Sequence, residues 1–78
     1  MDKRTLQARR LQVAGAIRSW RSVRRMTQAE LACALGVPQS WVSNVESGAR
    51  RLDIVEAEEL AKALGISVIQ LLEERGRE

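Results

Sequence analysis

The sequence predicts an all-α domain: five short helices packed on a single core. Three observations carry that prediction. Leu31, Leu35, Val42 and Val45 recur at three- and four-residue steps, so each short run bears one apolar stripe. Three helix starts share one local grammar: Thr27 with Glu30, Asp53 with Glu56, and Ser67 with Gln70 each set an N-cap oxygen three residues ahead of a Glu or Gln, the spacing of a capping box. No segment alternates with period two over a useful length, so no strand is expected.

Taken in order, the chain divides into an extension, 1–12, a main domain, 13–75, and a tail, 76–78. The extension carries Lys3, Arg4, Arg9 and Arg10 and few helix breakers. It either prolongs the first helix or stays a basic arm, a frayed and solvated terminus being the plainer reading. On a continuous helix Leu6, Val13, Ile17 and Trp20 share one face, and Leu11 points away as an exposed residue or a contact with another chain. This stripe is better explained as core than as a membrane-surface helix. The first helix is expected from residue 6 or 13 to 25, with Gly15 its one weak interior position.

The next two helices, 28–35 and 39–47, are separated by Gly36 and Pro38. Gly36 follows the last periodic residue, where a left-handed backbone is inexpensive only without a Cβ. Pro38 fits the first turn of the following helix, since its missing N–H would have no intrahelical partner there. Ala32 is small where the two helices would cross. The fourth helix, 54–64, is expected to turn Ile54, Ala57, Ala61 and Leu64 inward. The last, 68–75, offers Val68, Ile69, Leu71 and Leu72, more apolar side chains than one face of so short an element easily buries. Met26 with Leu31 and Ile66 with Leu71 are placed as hydrophobic staples. Gly48, Gly65 and Gly76 read, like Gly36, as helix stops.

Composition bounds function. Seventy-eight residues make one domain with one small core, and the absence of Tyr, Phe and His makes that core aliphatic with two Trp. A single cysteine, Cys33, leaves no intrachain disulfide, and no apolar run is long enough for a secretory signal or membrane span, so a reducing, cytoplasmic setting is expected. With no His, no metal-ligand cluster, no Gly-rich phosphate loop and no base beside Cys33, neither catalysis nor a metal or cofactor is expected. Cys33 reads as a small filler rather than a redox sensor. Charge is segregated: residues 1–51 carry ten Lys/Arg against three acidic groups, net +7, and residues 52–78 carry three against seven, net −4. A polyanion would meet the first part and be repelled by the second.

The polar face of 39–47 is where the chemistry concentrates. With Val42 and Val45 inward, Gln39, Ser40, Ser43, Asn44 and Ser47 lie outward at helical spacing, polar but uncharged. An ordinary solvated face would hold Glu or Lys, as 56–62 does. Gln pairs with adenine N6 and N7 together, and Ser donates or accepts, so such a face suits the edges displayed in a major groove.

These features together resemble the helix-turn-helix of the Cro/cI-type, or XRE-like, repressors, with the unit at 28–47. The matching residues are Trp20-Arg21, Met26 to Ala32, Leu35-Gly36-Val37, Gln39-Ser40, Val42-Ser43, Val45-Glu46 and Gly48. Leu60 to Ile66 and Leu71-Leu72 continue the match, which covers roughly Val13 to Leu72. The resemblance implies a compact five-helix, lambda-repressor-like DNA-binding domain, a sequence-specific transcriptional regulator of a prokaryotic or phage-type setting. It assigns Gln39, Ser40, Ser43 and Asn44 to base reading and Gln28 to a clamp on the DNA backbone at a helix N-terminus. It also pairs Arg21 with Glu46, tying the first helix to the end of the recognition helix.

Arg50 and Arg51, in the loop after Gly48, are placed to reach phosphate or an adjacent minor groove, and Ser47 to touch the backbone. Trp41 either packs against the first helix or covers sugar and phosphate, packing being the expected use of so large an indole. In this family the surplus apolar side chains of the last helix, Val68, Ile69, Leu71 and Leu72, usually meet a second copy, which implies a homodimer on a palindromic duplex site. The alternative is a protein-interaction module that keeps the fold and turns its acidic, apolar part to a toxin or other protein partner. The small size is similar to phage Cro-like repressors, restriction-modification controller proteins and antitoxin-type regulators.

Overall fold

A computed structural model describes residues 1–73, and in it five helices follow one another: α1 Lys3–Val23, α2 Gln28–Leu35, α3 Gln39–Glu46, α4 Ile54–Leu64 and α5 Val68–Leu72. The described residues form no strand. Residues 74 and 75 of the expected last helix, the stop at Gly76 and the tail 76–78 lie outside the described residues.

α1 is longer than the plainer reading allowed. Asp2 caps it by accepting from the Arg4 N–H, so the extension is helical rather than a frayed arm. Its other end comes at Val23, two residues early, because Arg25 adopts the left-handed conformation with φ 57°. The Met26 N–H then reaches the Arg21 carbonyl and the Arg25 N–H the Ser22 carbonyl, the closure usually made around glycine. Gly36 makes the same closure after α2, at φ 71°, with Val37 bonded to Ala32. All three capping boxes form, at Thr27/Glu30, Asp53/Glu56 and Ser67/Gln70. Pro38 stands one position before the first turn of α3, as an N-cap without a side-chain bond.

The core gathers Ile17 of α1, Leu31 and Ala32 of α2, Val42 and Val45 of α3, Leu60, Ala61 and Leu64 of α4, and Leu71 of α5. Two expectations are corrected. Ile54 stands 85% exposed and Leu60 fills the inward position, because the first turn of α4 projects past the core, whereas Leu60 lies in the middle of the helix, inside it. Leu71, assigned to a second copy, is buried in the core of its own chain, and Val68 is half-buried against it. Leu11 is half-exposed, yet its tip meets the loop after α3: a Cβ on Gly48 would stand 2.6 Å from Leu11 Cδ2. With φ 83° at Gly48 the backbone there favours glycine, and a Cβ would in addition make the Leu11 tip shift.

α1 also serves as a spine of arginines that cap the other helices. Arg9 donates to the Leu72 carbonyl at the end of α5, Arg18 to the Glu46 carbonyl at the end of α3, and Arg24 to the Leu64 and Gly65 carbonyls at the end of α4. Each places a cation where a helix presents unpaired carbonyls and the negative end of its dipole. Arg24 also lies over the Trp20 ring, 5.5 Å from its centroid.

Candidate nucleic-acid interface

α3 is built to be held from behind and read from in front. Val42 and Val45 sit in the core, and Gln39, Ser40, Ser43 and Asn44 are all exposed, side by side on the opposite face. The polar contacts behind the helix converge on one buried carboxylate, Glu46, which is 4% exposed. Arg21 grips it with both arms, Nε to Oε2 at 2.6 Å and Nη2 to Oε1 at 3.0 Å, and uses its remaining nitrogen on the Met26 carbonyl. Burial alone would push the Glu46 carboxyl up. The hydrogen bonds from Arg21 and Gln28, with the charges of Arg21 and Arg18, outweigh it and hold the group ionised below its ordinary value. Arg21, hydrogen-bonded to Glu46, is raised in turn.

Glu46 then orients a base-reading candidate through Gln28. An ionised carboxylate only accepts, so Gln28 must give it Nε2, at 3.0 Å, and turn Oε1 the other way. That oxygen accepts from Nε2 of Gln39 at 3.4 Å. The amide of Gln39 is thereby biased to one of its two flips, with Oε1 and one N–H left for a partner in front. An acceptor beside a donor is the pattern that matches adenine N6 and N7. Gln28 thus spends its side chain inside the protein, and only its helix N-terminus remains to meet an anion.

The loop after α3 is less open than the sequence suggested. Ser47 donates its hydroxyl to the Asn44 carbonyl and accepts from the Ala49 N–H, so it builds the turn. Arg50 lies over the Trp41 ring, 5.0 Å from the centroid, and bonds Glu56 of α4 at 2.5 Å. Trp41 is half-buried and packed against the core, with the Arg50 guanidinium over its ring. Arg51 is exposed. Of the ten basic residues in 1–51, Arg9, Arg18, Arg21, Arg24 and Arg50 are therefore committed within the protein. The side chains of Lys3, Arg4, Arg10, Arg25 and Arg51 make no hydrogen bond or ion pair among the described residues.

Sequence reasoning missed two groups. Ile54 and Val55 stand 85% and 62% exposed and join Ile69 and Leu72, at 66% and 40%, as large apolar side chains left uncovered on the two last helices. The Trp41–Arg50–Glu56 contact was also missed; the only hint was an Arg followed six residues later by the capping-box Glu. Cys33 is exposed on α2, and no cluster among the described residues suits a metal ion. No helix among them is long and apolar enough to cross a membrane.

A family described as "Helix-turn-helix domain" matches residues 4–73. The chain belongs to that helix-turn-helix family. As a member it is a DNA-binding transcriptional regulator and not an enzyme. Among solved structures it is similar to the restriction-modification controller protein C.AhdI from Aeromonas hydrophila, at 31% identity over 82% of this chain and 97% of that one, with a TM-score of 0.78. The hypothetical transcription factor NHTF from Neisseria is 33% identical over 81% of this chain and 72% of that one, with a TM-score of 0.76. A search of curated proteins gives no significant match. The helix-turn-helix match begins inside the extension, at residue 4, in keeping with a helix that starts at Lys3.

Proposed function

We propose that this regulator reads a palindromic operator as a homodimer, each copy laying α3 in the major groove and acting as a repressor or controller of transcription. The observation that carries the reading is the neutral polar face of α3, backed by the Glu46–Gln28–Gln39 chain that orients its first residue. In this account Gln39, Ser40, Ser43 and Asn44 contact base edges, while the N-terminus of α2 at Gln28 and the Arg51 guanidinium hold phosphates. Trp41, Ser47 and Arg50 support the backbone-facing edge of α3 from within the protein. The second copy covers Ile54, Val55, Ile69 and Leu72, and two-fold symmetry then spaces the reading helices about 34–36 Å apart. The likeness to C.AhdI supports a controller setting over the other two.

Titration of a duplex carrying two inverted half-sites, followed by sedimentation, tests this. Two chains per duplex are expected, with affinity falling steeply as salt rises. Ile69→Asp should give a folded monomer whose affinity drops by two orders of magnitude or so, since one isolated module buries little surface. A single chain per duplex with unchanged affinity in Ile69→Asp would overturn the dimer.

A further inference from the structure

Among the described residues, one other than glycine adopts the left-handed conformation: Arg25, at φ 57°, in the turn between α1 and α2. That backbone is costly for an arginine and far easier for glycine or asparagine. The fold does not repay the cost through the side chain. Closure of the turn uses main chain alone, the Arg25 N–H on the Ser22 carbonyl and the Met26 N–H on the Arg21 carbonyl. The two neighbours take the inward directions, Arg24 toward the carbonyls that end α4 and Met26 against the core. Between them Arg25 is exposed, and its side chain makes no hydrogen bond, ion pair or aromatic contact among the described residues. Glu30, the nearest acid along the chain, turns back to accept from the Thr27 N–H instead. Strain that returns nothing inside a protein gathers at functional positions.

The turn is held in register with the reading helix from both sides. Arg21 donates Nη1 to the Met26 carbonyl at 2.8 Å while Nε and Nη2 grip Glu46, the last residue of α3. Gln28 follows Arg25 by three residues and meets Gln39, the first residue of α3, at 3.4 Å. Three residues span at most about 11 Å, and a major groove is about 12 Å wide. With α3 in the groove, Arg25 therefore stands at its rim, near the start of α3, whereas Arg51 lies in the loop beyond the other end. We propose that Arg25 is a phosphate anchor, its guanidinium donating to a DNA phosphodiester on the rim of the groove that α3 enters. A permanently charged fork of N–H donors matches phosphate oxygens, and such a contact sets the register of α3 without reading sequence. Glycine or asparagine would suit the backbone better, but neither could hold the phosphate. The assignment rests on the proposed placement of α3 in the major groove.

Arg25→Asn removes the cation and keeps a residue that tolerates the turn, and Arg25→Lys keeps the charge. Both are compared with wild type and Arg51→Gln in urea melts and in titrations, across a range of salt, of a duplex carrying the enriched half-sites and an unrelated one. Arg25→Asn should melt no earlier than wild type, bind both duplexes about tenfold more weakly and flatten the salt slope by about one unit; Arg25→Lys should recover the slope. Methylphosphonate placed at one phosphate after another then locates the contact: one neutralised position should weaken wild type and leave Arg25→Asn unaffected. A salt slope in Arg25→Asn equal to that of wild type, or the same methylphosphonate profile in both, would overturn the proposal; retained preference for the half-sites would show that reading by α3 still stands. Wild type that binds both duplexes equally would overturn that reading and the anchor with it.

Discussion

Replacing Glu46 by alanine should be among the most damaging single changes in this chain, and the structure says by how much. The substitution removes two bonds from Arg21, at 2.6 and 3.0 Å, and one from Gln28 at 3.0 Å. It strands a guanidinium whose side chain is 16% exposed. Loss of one partner of a buried ion pair costs about 3–5 kcal/mol. Arg21 keeps its bond to the Met26 carbonyl and some water, which places the loss toward the low end of that range. A chain of this size holds only about 4–12 kcal/mol in all. At a urea dependence of about 1 kcal/mol per molar, the midpoint should fall by roughly 3 M. A midpoint unchanged from wild type would refute the reasoning.

The same carboxylate sets an acid dependence. Its native pKa is lowered, so the stability it supplies is complete above the ordinary carboxylate value near pH 4.3 and is lost as pH falls through the native value. Wild type should therefore lose more urea resistance between about pH 5 and pH 3 than Glu46→Gln does. Equal losses would show that the carboxylate is not held ionised.

Three further outcomes follow from the packing and the interface. Leu60→Ala should cost about 2–5 kcal/mol in a urea melt, and Ile54→Ala less than about 0.5, reversing the order expected from the sequence stripe. Gly48→Ala should destabilise by about 1–3 kcal/mol, with part of the loss recovered in the double variant Leu11→Ala/Gly48→Ala; full additivity would mean that only φ matters. Arg51→Gln should flatten the salt dependence of duplex binding by about one unit without changing the preferred sequence, whereas Arg50→Gln should lower stability first.

The helices were largely legible in the sequence because their starts are written locally: a hydroxyl or carboxylate three residues ahead of a Glu or Gln has few other uses. The ends were less so. Arg25 closes α1 in a conformation that glycine signals and arginine does not. The face of α3 was readable because Val42 and Val45 fix its phase. What lay behind it was not, since the contact of Gln39 with Gln28 and of Arg50 with Trp41 depends on how separate helices meet. The charge pattern misled most usefully. Counted along the chain, the arginines of α1 looked like a surface for a polyanion; in the fold Arg9, Arg18 and Arg24 cap three helix ends. The apolar surplus at the C-terminal end was visible, but Leu71 turned out to be core and Ile54 took its place outside.

Selection of bound duplexes from a randomised pool at near-physiological salt, followed by sequencing, tests the central claim most directly. Two inverted half-sites about one helical turn apart should be enriched, with an adenine preference at one position in each that disappears in Gln39→Ala. A pool that emerges unenriched, bound only in low salt, would contradict sequence reading by α3 and leave phosphate attraction alone.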